Sequence, residues 1–376
     1  MNRDNLFKLD FEVVNLPTFE ETITNKEWIL WGGDNLWPSH SIDLYNYSAI
    51  NRACLNAKRD AVWGEKLLID GQDSTLYMVN GMNSLREIYK KTAMDFVIHN
   101  GFALNVVKNK MGDGISEMYH MDLSKLRSGK VDYRDFVQEY WYSADWRNER
   151  KYKPFSIPAF DLNDEDPSQI YWYMGYAPNQ TYYPMPEWIG SRVATEIDIN
   201  IKNFHLQNLQ NGFFPSIFIS LNNGIPSEEE RSQVYRHLMD KYSSTNNAGG
   251  LFLNFAEDKE HEPTITPLNL NNSDQFYRDM DEIVRNTILT GHRITSPKLL
   301  GIETPGQLGS KNEVVEGYEH FLRTTIVPLQ DQLLEQFEKL LFLRDKKLHK
   351  LEIIQNEIFD TNPVESITPE LPNTPQ

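Results

Sequence analysis

The 376-residue sequence predicts an α+β fold built from two or three packed units. Its second half repeats apolar residues at the helical period, whereas its first half alternates short apolar segments with glycine-containing turns. Hydrophobic residues make up 40% of the chain and charged residues 24%, the usual composition of a globular protein with substantial cores. The composition therefore excludes wholesale disorder.

The charge balance restricts the possible partners. Acidic residues outnumber basic ones 54 to 37, and the resulting net charge of −17 opposes non-specific attraction to nucleic acid and to anionic membranes. Apolar runs fall short of the roughly 20 residues that a membrane helix needs, and residues 1–10 carry charges instead of an apolar leader, so we expect a soluble protein. The single cysteine, Cys54, is expected to be a buried small hydrophobe.

The first half is expected to combine two helices with several short strands. Residues 1–44 lack a sustained period and predict an extended arm. Apolar spacing predicts helices over 45–62, which Gly64 ends, and over 84–99, which Asn100 ends. Strands are predicted over 66–69, 102–108, 115–121, 131–142 and 169–174, with a hairpin turn at 111–114.

One acidic segment of this half resembles a calcium loop. Residues 161–167 carry acidic side chains at alternate positions, but the glycine and the final glutamate that such a loop needs are absent. A solvated acidic turn is therefore favoured.

Two long helices with a small αβ excursion between them are predicted for the second half. Helical stripes cover 187–211 and 273–293. The excursion, 213–272, contains strand patterns at 215–221 and 251–255, and Ser227 with Glu230 matches the capping box of another helix.

The segment after the second long helix predicts a functional loop. Residues 294–311 contain two prolines and three glycines, too many for a regular element, and long loops in compact domains are usually functional. Ser310 opens another capping box, and the helix that follows is expected to bend at Pro328 because proline removes a backbone donor. The proline-rich acidic chain end predicts a partly disordered tail.

Catalytic and metal-binding motifs are missing from the sequence. The nine histidines lack the spacing of a zinc site, the glycines of 306–311 lack the order of a phosphate loop, and no Gly-x-Ser-x-Gly elbow occurs. We therefore predict no enzymatic activity, no catalytic residue, no metal site and no cofactor. The 8 tryptophans and 18 tyrosines leave a carbohydrate-active enzyme or binding protein as an alternative, although aromatic residues mostly serve cores.

The order of the elements resembles the portal proteins of tailed bacteriophages, in the compact capsid-type branch. Five stretches carry the resemblance: FHLQNLQNGFFP (204–215), YSSTNNAGGLFLNF (242–255), NSDQF (272–276), SPKLLG (296–301) and FLRTTIVP (321–328). Together they give a helix stop, a strand pair, a helix start, a loop and a kink. The resemblance implies, in order, an N-terminal arm 1–44, a wing 45–186, stem helix one 187–212, a clip 213–272, stem helix two 273–293, a channel loop 294–311, a kinked wing helix 312–343, and a small crown with a disordered acidic tail 344–376.

The resemblance also implies a role and partners. Portal proteins form a ring of about twelve subunits, here a heterologous cyclic assembly, around a channel for double-stranded DNA at one capsid vertex. The clip is expected to dock the terminase, which hydrolyses ATP, and later the head-tail connector, while the wing faces the major capsid protein and any scaffold. The protein would reside in the virion after assembly in the host cytoplasm, without membrane contact.

Two sets of residues are expected to make these contacts. In the channel loop, weak and sequence-independent phosphate contacts are expected from Thr295, Ser296, Lys298, Gln307, Ser310 and Lys311. In the clip, partner contacts are expected from Ser227, Glu228, Glu229, Arg231 and Tyr235. A cellular scaffold built from the same helices is a further alternative, which would lack an open axial hole.

Overall fold

A computed structural model describes residues 19–211, 217–221, 227–230, 232–234, 236, 251–255, 273–294, 297–300 and 311–355. The chain divides into two compact units, the first formed by residues 1–189 and 289–376 and the second by residues 190–288. The small sheets and the helices of these units agree with the predicted α+β class. Of the helices in the ranges above, none is long and apolar enough to cross a membrane.

Three helices lie in the N-terminal part of the first unit: α1 (Trp37–Tyr47), α2 (Ala49–Trp63) and α3 (Leu85–His99). Ser48 separates the first two, because its extended backbone ends α1 while its side chain accepts a hydrogen bond from the Asn51 amide and so caps α2. The single helix predicted over 45–62 is therefore two helices.

The described residues of the first unit also form four small antiparallel sheets. The strands are β1 (Glu21–Thr22), β2 (Leu30–Trp31), β3 (Lys66–Ile69), β4 (Gln72–Asp73), β5 (Gly101–Lys108), β6 (Ile115–Met121), β7 (Leu126–Ser128), β8 (Glu139–Tyr142), β9 (Phe155–Pro158), β10 (Ser168–Met174) and β13 (Leu351–Ile354). Their orders are β1-β2, β10-β5-β6, β13-β3-β4 and β7-β8-β9. The predicted hairpin between β5 and β6 is confirmed, with Gly112 at φ +77° in its turn.

The prediction of an extended arm over 1–44 is wrong for residues 19–44. The side chains of Ile29, Trp31 and Trp37 are completely buried in an aromatic core, where Trp31 stacks on Tyr183 at 4.3 Å between ring centroids. The buried Arg127 guanidinium fixes this segment, since its Nε donates to the Asn35 side chain at 2.7 Å. Burial of these large rings, which short-range periodicity does not reveal, holds the segment in place.

The C-terminal part of the chain also differs from the prediction, in the position of its helix bend and in the strand that follows. Helix α6 (Lys311–Phe321) continues through a π-helical turn, Leu322–Ile326, into α7 (Val327–Asp345). Pro328 stands in the first turn of α7, so the predicted irregularity takes the form of a π turn just before the proline. Within the segment predicted as crown and tail, residues 351–354 form β13 beside β3.

A glycine explains how β13 can lie so close to the end of α2. Gly64, at φ +56°, ends α2, and a Cβ atom at this position would overlap the backbone of Ile354. The Glu65 amide then donates to the Ile354 carbonyl oxygen at 2.7 Å, extending the pairing of the two segments. The tail residues 356–376 lie outside the described chain.

The second unit contains the two long helices and parts of the excursion between them. Helix α4 (Arg192–Asn211) follows a 3₁₀ turn, Glu187–Ser191, so its 20 residues span about 30 Å instead of the roughly 37 Å expected for a continuous helix. Strands β11 (Ile217–Leu221) and β12 (Leu251–Phe255) pair in parallel. Helix α5 (Ser273–Gly291) agrees with the predicted second long helix and ends in the first unit.

Candidate functional site

The predicted channel loop begins where α5 ends, at a group of residues that we call the loop base: Asn51, Lys58, Glu187, Trp188, His292, Arg293 and Ile294. Helix α5 closes with two backbone hydrogen bonds, from the Arg293 amide to Thr290 and from the Ile294 amide to Leu289. This is the Schellman pattern, in which the residue after the helix adopts a left-handed conformation. Arg293 takes that conformation at φ +59°, although glycine is the usual residue there.

The His292 side chain joins α5 to α2. Its Nε2 lies 2.7 Å from the Oδ1 atom of the buried Asn51, and its ring stacks on Trp188 with 17° between the ring planes. Trp188 is held in turn by a hydrogen bond from its Nε1 to the Ile98 carbonyl oxygen. Burial, and secondarily the nearby Lys58 ammonium, hold the pKa of His292 well below its usual value, so this imidazole is neutral at neutral pH.

A buried lysine lies beside this histidine. The Lys58 side chain is 3% exposed, and its Nζ is 3.7 Å from a carboxylate oxygen of the partly exposed Glu187. Burial lowers the pKa of Lys58, while the Glu187 carboxylate acts in the opposite direction. The ammonium therefore depends on Glu187 for its stabilisation. One turn earlier on α2, Cys54 is buried, which confirms the prediction of a buried small hydrophobe, and burial raises the pKa of its thiol to about 12.

The start of the channel loop covers a small cavity. Pro297–Leu300 forms one 3₁₀ turn, and its Leu299 and Leu300 face a cavity of about 140 Å³. The other lining residues come from α2, from the chain just after α5 and from α6: Ala57, Asp60, Ala61, Ile294, Tyr318 and Phe321. Apolar side chains thus hold the first residues of the loop against two helices, without an extensive polar site.

The loop base is also connected to the π turn. Arg293 Nη2 donates to the carbonyl oxygen of Thr324 at 3.0 Å, and the Thr324 hydroxyl donates to the carbonyl oxygen of His320 at 2.7 Å. A π turn widens the helix and leaves carbonyl groups available for such contacts. Arg293 therefore links the end of α5 to the bend between α6 and α7.

The predicted channel-loop residues are only partly described. Lys298 is half-buried in the 3₁₀ turn, and Lys311 is the first residue of α6. Thr295, Ser296, Gln307 and Ser310 lie outside the described residues. Their contacts with nucleic acid stay predictions.

Of the predicted clip residues, those that the structure describes lie at the start of one helix. Ser227, Glu228 and Glu229 are exposed, and the capping box is confirmed because the Ser227 amide donates to the Glu230 carboxylate at 3.0 Å while the Glu230 amide donates to the Ser227 hydroxyl at 3.4 Å. These hydrogen bonds lower the pKa of Glu230. Arg231 and Tyr235 lie outside the described residues.

The acidic turn that resembles a calcium loop is held by a lysine of the protein itself. The Lys108 ammonium donates to the carbonyl oxygens of Leu162, at 2.8 Å, and of Asp164. Side chains of the turn accept hydrogen bonds from nearby backbone amides, as the Asp161 carboxylate does from the Asn163 amide at 2.8 Å. Across the described ranges, no cluster of three or more histidine, cysteine, aspartate or glutamate residues could hold a metal ion.

Sequence reasoning missed the loop base. His292 directly follows the predicted helix stop, and Lys58 interrupts the apolar stripe of α2 between Cys54 and Ala61. A lysine on an apolar stripe is a signal that it needs a buried partner. The identity of that partner, Glu187, depends on tertiary contacts.

Comparison with solved structures identifies the class of fold. One chain of the virion of the native gene transfer agent (GTA) particle has a TM-score of 0.53 and 15% sequence identity, with 83% of both chains covered. Chains of the neck of the native GTA particle, computed with C12 symmetry, and of the neck of the empty GTA particle, computed with C6 symmetry, give TM-scores of 0.53 and 0.54 at 14% identity. Their coverage is 84% and 85% of both chains, respectively.

A phage portal protein of the HK97 family from Corynebacterium diphtheriae aligns with a TM-score of 0.47 at 11% identity, over 83% of this chain and 95% of that chain. No protein-family model matches the sequence, and no curated protein matches it. At these identities the likeness is one of fold. The likeness to the chains of the GTA virion and neck agrees with the predicted α+β class.

Proposed function

We propose that the protein is a phage portal protein that assembles into a ring of about twelve copies around a channel for double-stranded DNA. The observation that carries the proposal is the fold likeness to neck chains computed with C12 symmetry, which covers more than 80% of both chains. A likeness of this extent includes both units of the chain and not one common module. The protein would serve at one capsid vertex during DNA packaging and ejection.

The charge of the chain suits a conduit. DNA carries about one negative charge per 1.7 Å of its axis, so a strongly basic wall would hold it, whereas a chain with a net charge of −17 leaves it free to slide. Lys298 and Lys311, at either side of the channel loop, would supply the weak phosphate contacts. The contacts of His292 and Arg293 would hold the root of that loop in place.

The other partners follow from the same proposal. The exposed carboxylates of Glu228 and Glu229 begin a helix in the clip and would face basic surfaces of the terminase and then of the head-tail connector. The wing would contact the major capsid protein and any scaffold. Assembly would take place in the host cytoplasm, and the terminase would supply ATP hydrolysis, so the portal needs no catalytic residue of its own.

The centre of the aromatic core is not available to the ligand of the carbohydrate alternative. Trp31, Trp37 and Tyr183 are the centre of a closed core and are at most 1% exposed. A sugar site needs aromatic faces that a ligand can reach. A cellular scaffold stays distinguishable because its assembly would lack an open axial hole.

A packaging assay tests the proposal. Capsids assembled with and without the protein are supplied with terminase and DNA, and the DNA protected from nuclease is measured. We expect no protected DNA without the protein, and full packaging in its absence would refute the portal role.

The same assay tests the channel-loop lysines. K298A/K311A is expected to package DNA but to retain a shorter length, because phosphate contacts that resist slippage are lost. K339A is the matched control, since Lys339 is exposed on α7 and pairs with Glu335 on its own helix. Equal DNA lengths for the double variant and the control would exclude the lysine contacts.

A further inference from the structure

A basic segment stands out on the first unit of this acidic protein. Residues 147–153 carry four cationic side chains and one carboxylate, and all four cationic residues are exposed: Arg147, Arg150, Lys151 and Lys153. The single carboxylate, Glu149, is already paired with Lys26 at 2.6 Å. Among the described residues, Arg150 and Lys153 have no ion-pair partner. A surplus of positive charge is thus presented to solvent.

The protein holds this basic segment in a defined position. Its first turn, Trp146–Asn148, is capped by Asp145, whose carboxylate accepts from the Arg147 amide at 2.9 Å. The Trp146 ring is buried beneath the Arg127 guanidinium, and its Nε1 donates to the Lys125 carbonyl oxygen at 2.8 Å. An anchored segment loses little conformational entropy when it binds a partner, so its charges are suited to recognition.

The acidic turn described above lies at the other end of the same extended run of chain. Four of its side chains are exposed carboxylates: Asp161, Asp164, Glu165 and Asp166. Between the two segments, Pro154 is followed by the extended residues 155–160, which consist of β9 and two residues that join the edge of β10, where the Phe160 amide donates to the Ile170 carbonyl oxygen. At about 3.3 Å per residue, six extended residues separate the basic and acidic segments by about 20 Å.

We propose that the basic segment 147–153 docks against the acidic turn 161–166 of a neighbouring copy of this chain. This inference rests on the ring that the proposed function requires. A closed ring of identical subunits needs two different, complementary surfaces on each subunit, and opposite charges at the two ends of one rigid run provide such a pair. A second copy is favoured over nucleic acid as the partner, because the net charge of −17 repels phosphates and the complementary carboxylates are already present on the chain.

Charge reversal tests this pairing. The first variant, R150E/K151E/K153E, makes the basic segment acidic, and the second, D164K/E165K/D166K, makes the acidic turn basic. Ring formation is followed by mass photometry over a range of protein concentrations. Each variant alone is expected to form rings only at about tenfold higher concentration than the wild type, because like charges then face each other at every interface.

Mixing the two variants gives the sharper result. In an equimolar mixture, a ring of alternating variants places opposite charges at every interface, so rings are expected to return at the wild-type concentration. A chain that carries both sets of substitutions is expected to form rings alone for the same reason. The control E335K/K339E exchanges an exposed ion pair within α7 and is expected to leave assembly unchanged. Thermal unfolding of each variant verifies that it is folded.

The outcomes separate this inference from the proposed function. Wild-type-like rings from both single-segment variants, or no rescue on mixing, would overturn the docking while leaving the portal proposal intact. Absence of rings from the wild-type chain under all conditions would overturn both. Unchanged assembly of the first variant together with lost binding to a short DNA duplex would assign the basic segment to nucleic acid instead.

Discussion

Acid should destabilise the first unit through His292. This side chain is completely buried, its Nε2 bonds to Asn51, and its Nδ1 has no hydrogen-bond partner in the described chain. A second proton on the ring would place a cation beside the Lys58 ammonium in a buried site. The substitution H292Q keeps a hydrogen-bonding side chain for Asn51 but removes the titrating imidazole.

The sign and size of this pH effect on the unfolding free energy follow from the linkage between folding and proton binding to His292. The pKa of His292 is lowered in the folded state, so the unfolded chain binds the proton first and the stability falls as the pH falls below the unfolded value of about 6.5. Between pH 7.5 and pH 5.5, one such histidine costs about 1 kcal/mol of unfolding free energy. Burial also lowers the pKa of His99, which adds a loss of the same sign.

Urea unfolding at pH 7.5 and pH 5.5 measures this difference. H292Q is expected to lose about 1 kcal/mol less unfolding free energy than the wild type between the two pH values, with the His99 contribution left unchanged. H320Q is the matched control, because His320 is exposed on α6, and it should lose as much as the wild type. An identical pH dependence for H292Q and the wild type would refute the account of a buried neutral imidazole.

Two further predictions concern stability. G64A is expected to lower the unfolding free energy by about 2 kcal/mol and to reduce the hydrogen-exchange protection of β13, since its Cβ would overlap that strand. In the control G71A the added Cβ meets open space, so the loss should be only about 1 kcal/mol, caused by the positive φ of residue 71. Equal losses for the two variants would contradict the close approach of β13 to Gly64. E187Q is expected to lower the free energy of thermal unfolding by about 2 kcal/mol, because it leaves the buried Lys58 ammonium without its counter-charge. K58M, which removes the buried charge itself, should leave the unfolding free energy nearly unchanged. A larger loss for K58M than for E187Q would reverse that reasoning.

Elements with strong local signals are predictable from the sequence. Helix α3 has a complete capping box at Ser84 and Glu87, and Asn100 ends it in the left-handed conformation at φ 62°. The hairpin of β5 and β6 and the bounds of α5 likewise follow from turn residues and apolar spacing. In each case a few neighbouring residues determine the backbone.

The parts that escape prediction depend on contacts between distant residues. Trp31 belongs to a core completed by Tyr183, and β13 pairs with β3 nearly 300 residues earlier in the chain. The loop base has the same character, because the Asn51 and His292 side chains meet only after two helices have packed. Apolar periodicity identifies the face of a helix that is buried but not the residue that it meets.

Single-particle electron microscopy of the purified full chain tests the central proposal most directly. We expect annular particles with about twelve-fold symmetry and an open centre that admits a DNA duplex. Images containing only isolated globules, even at high concentration and with capsid components present, would contradict the portal account.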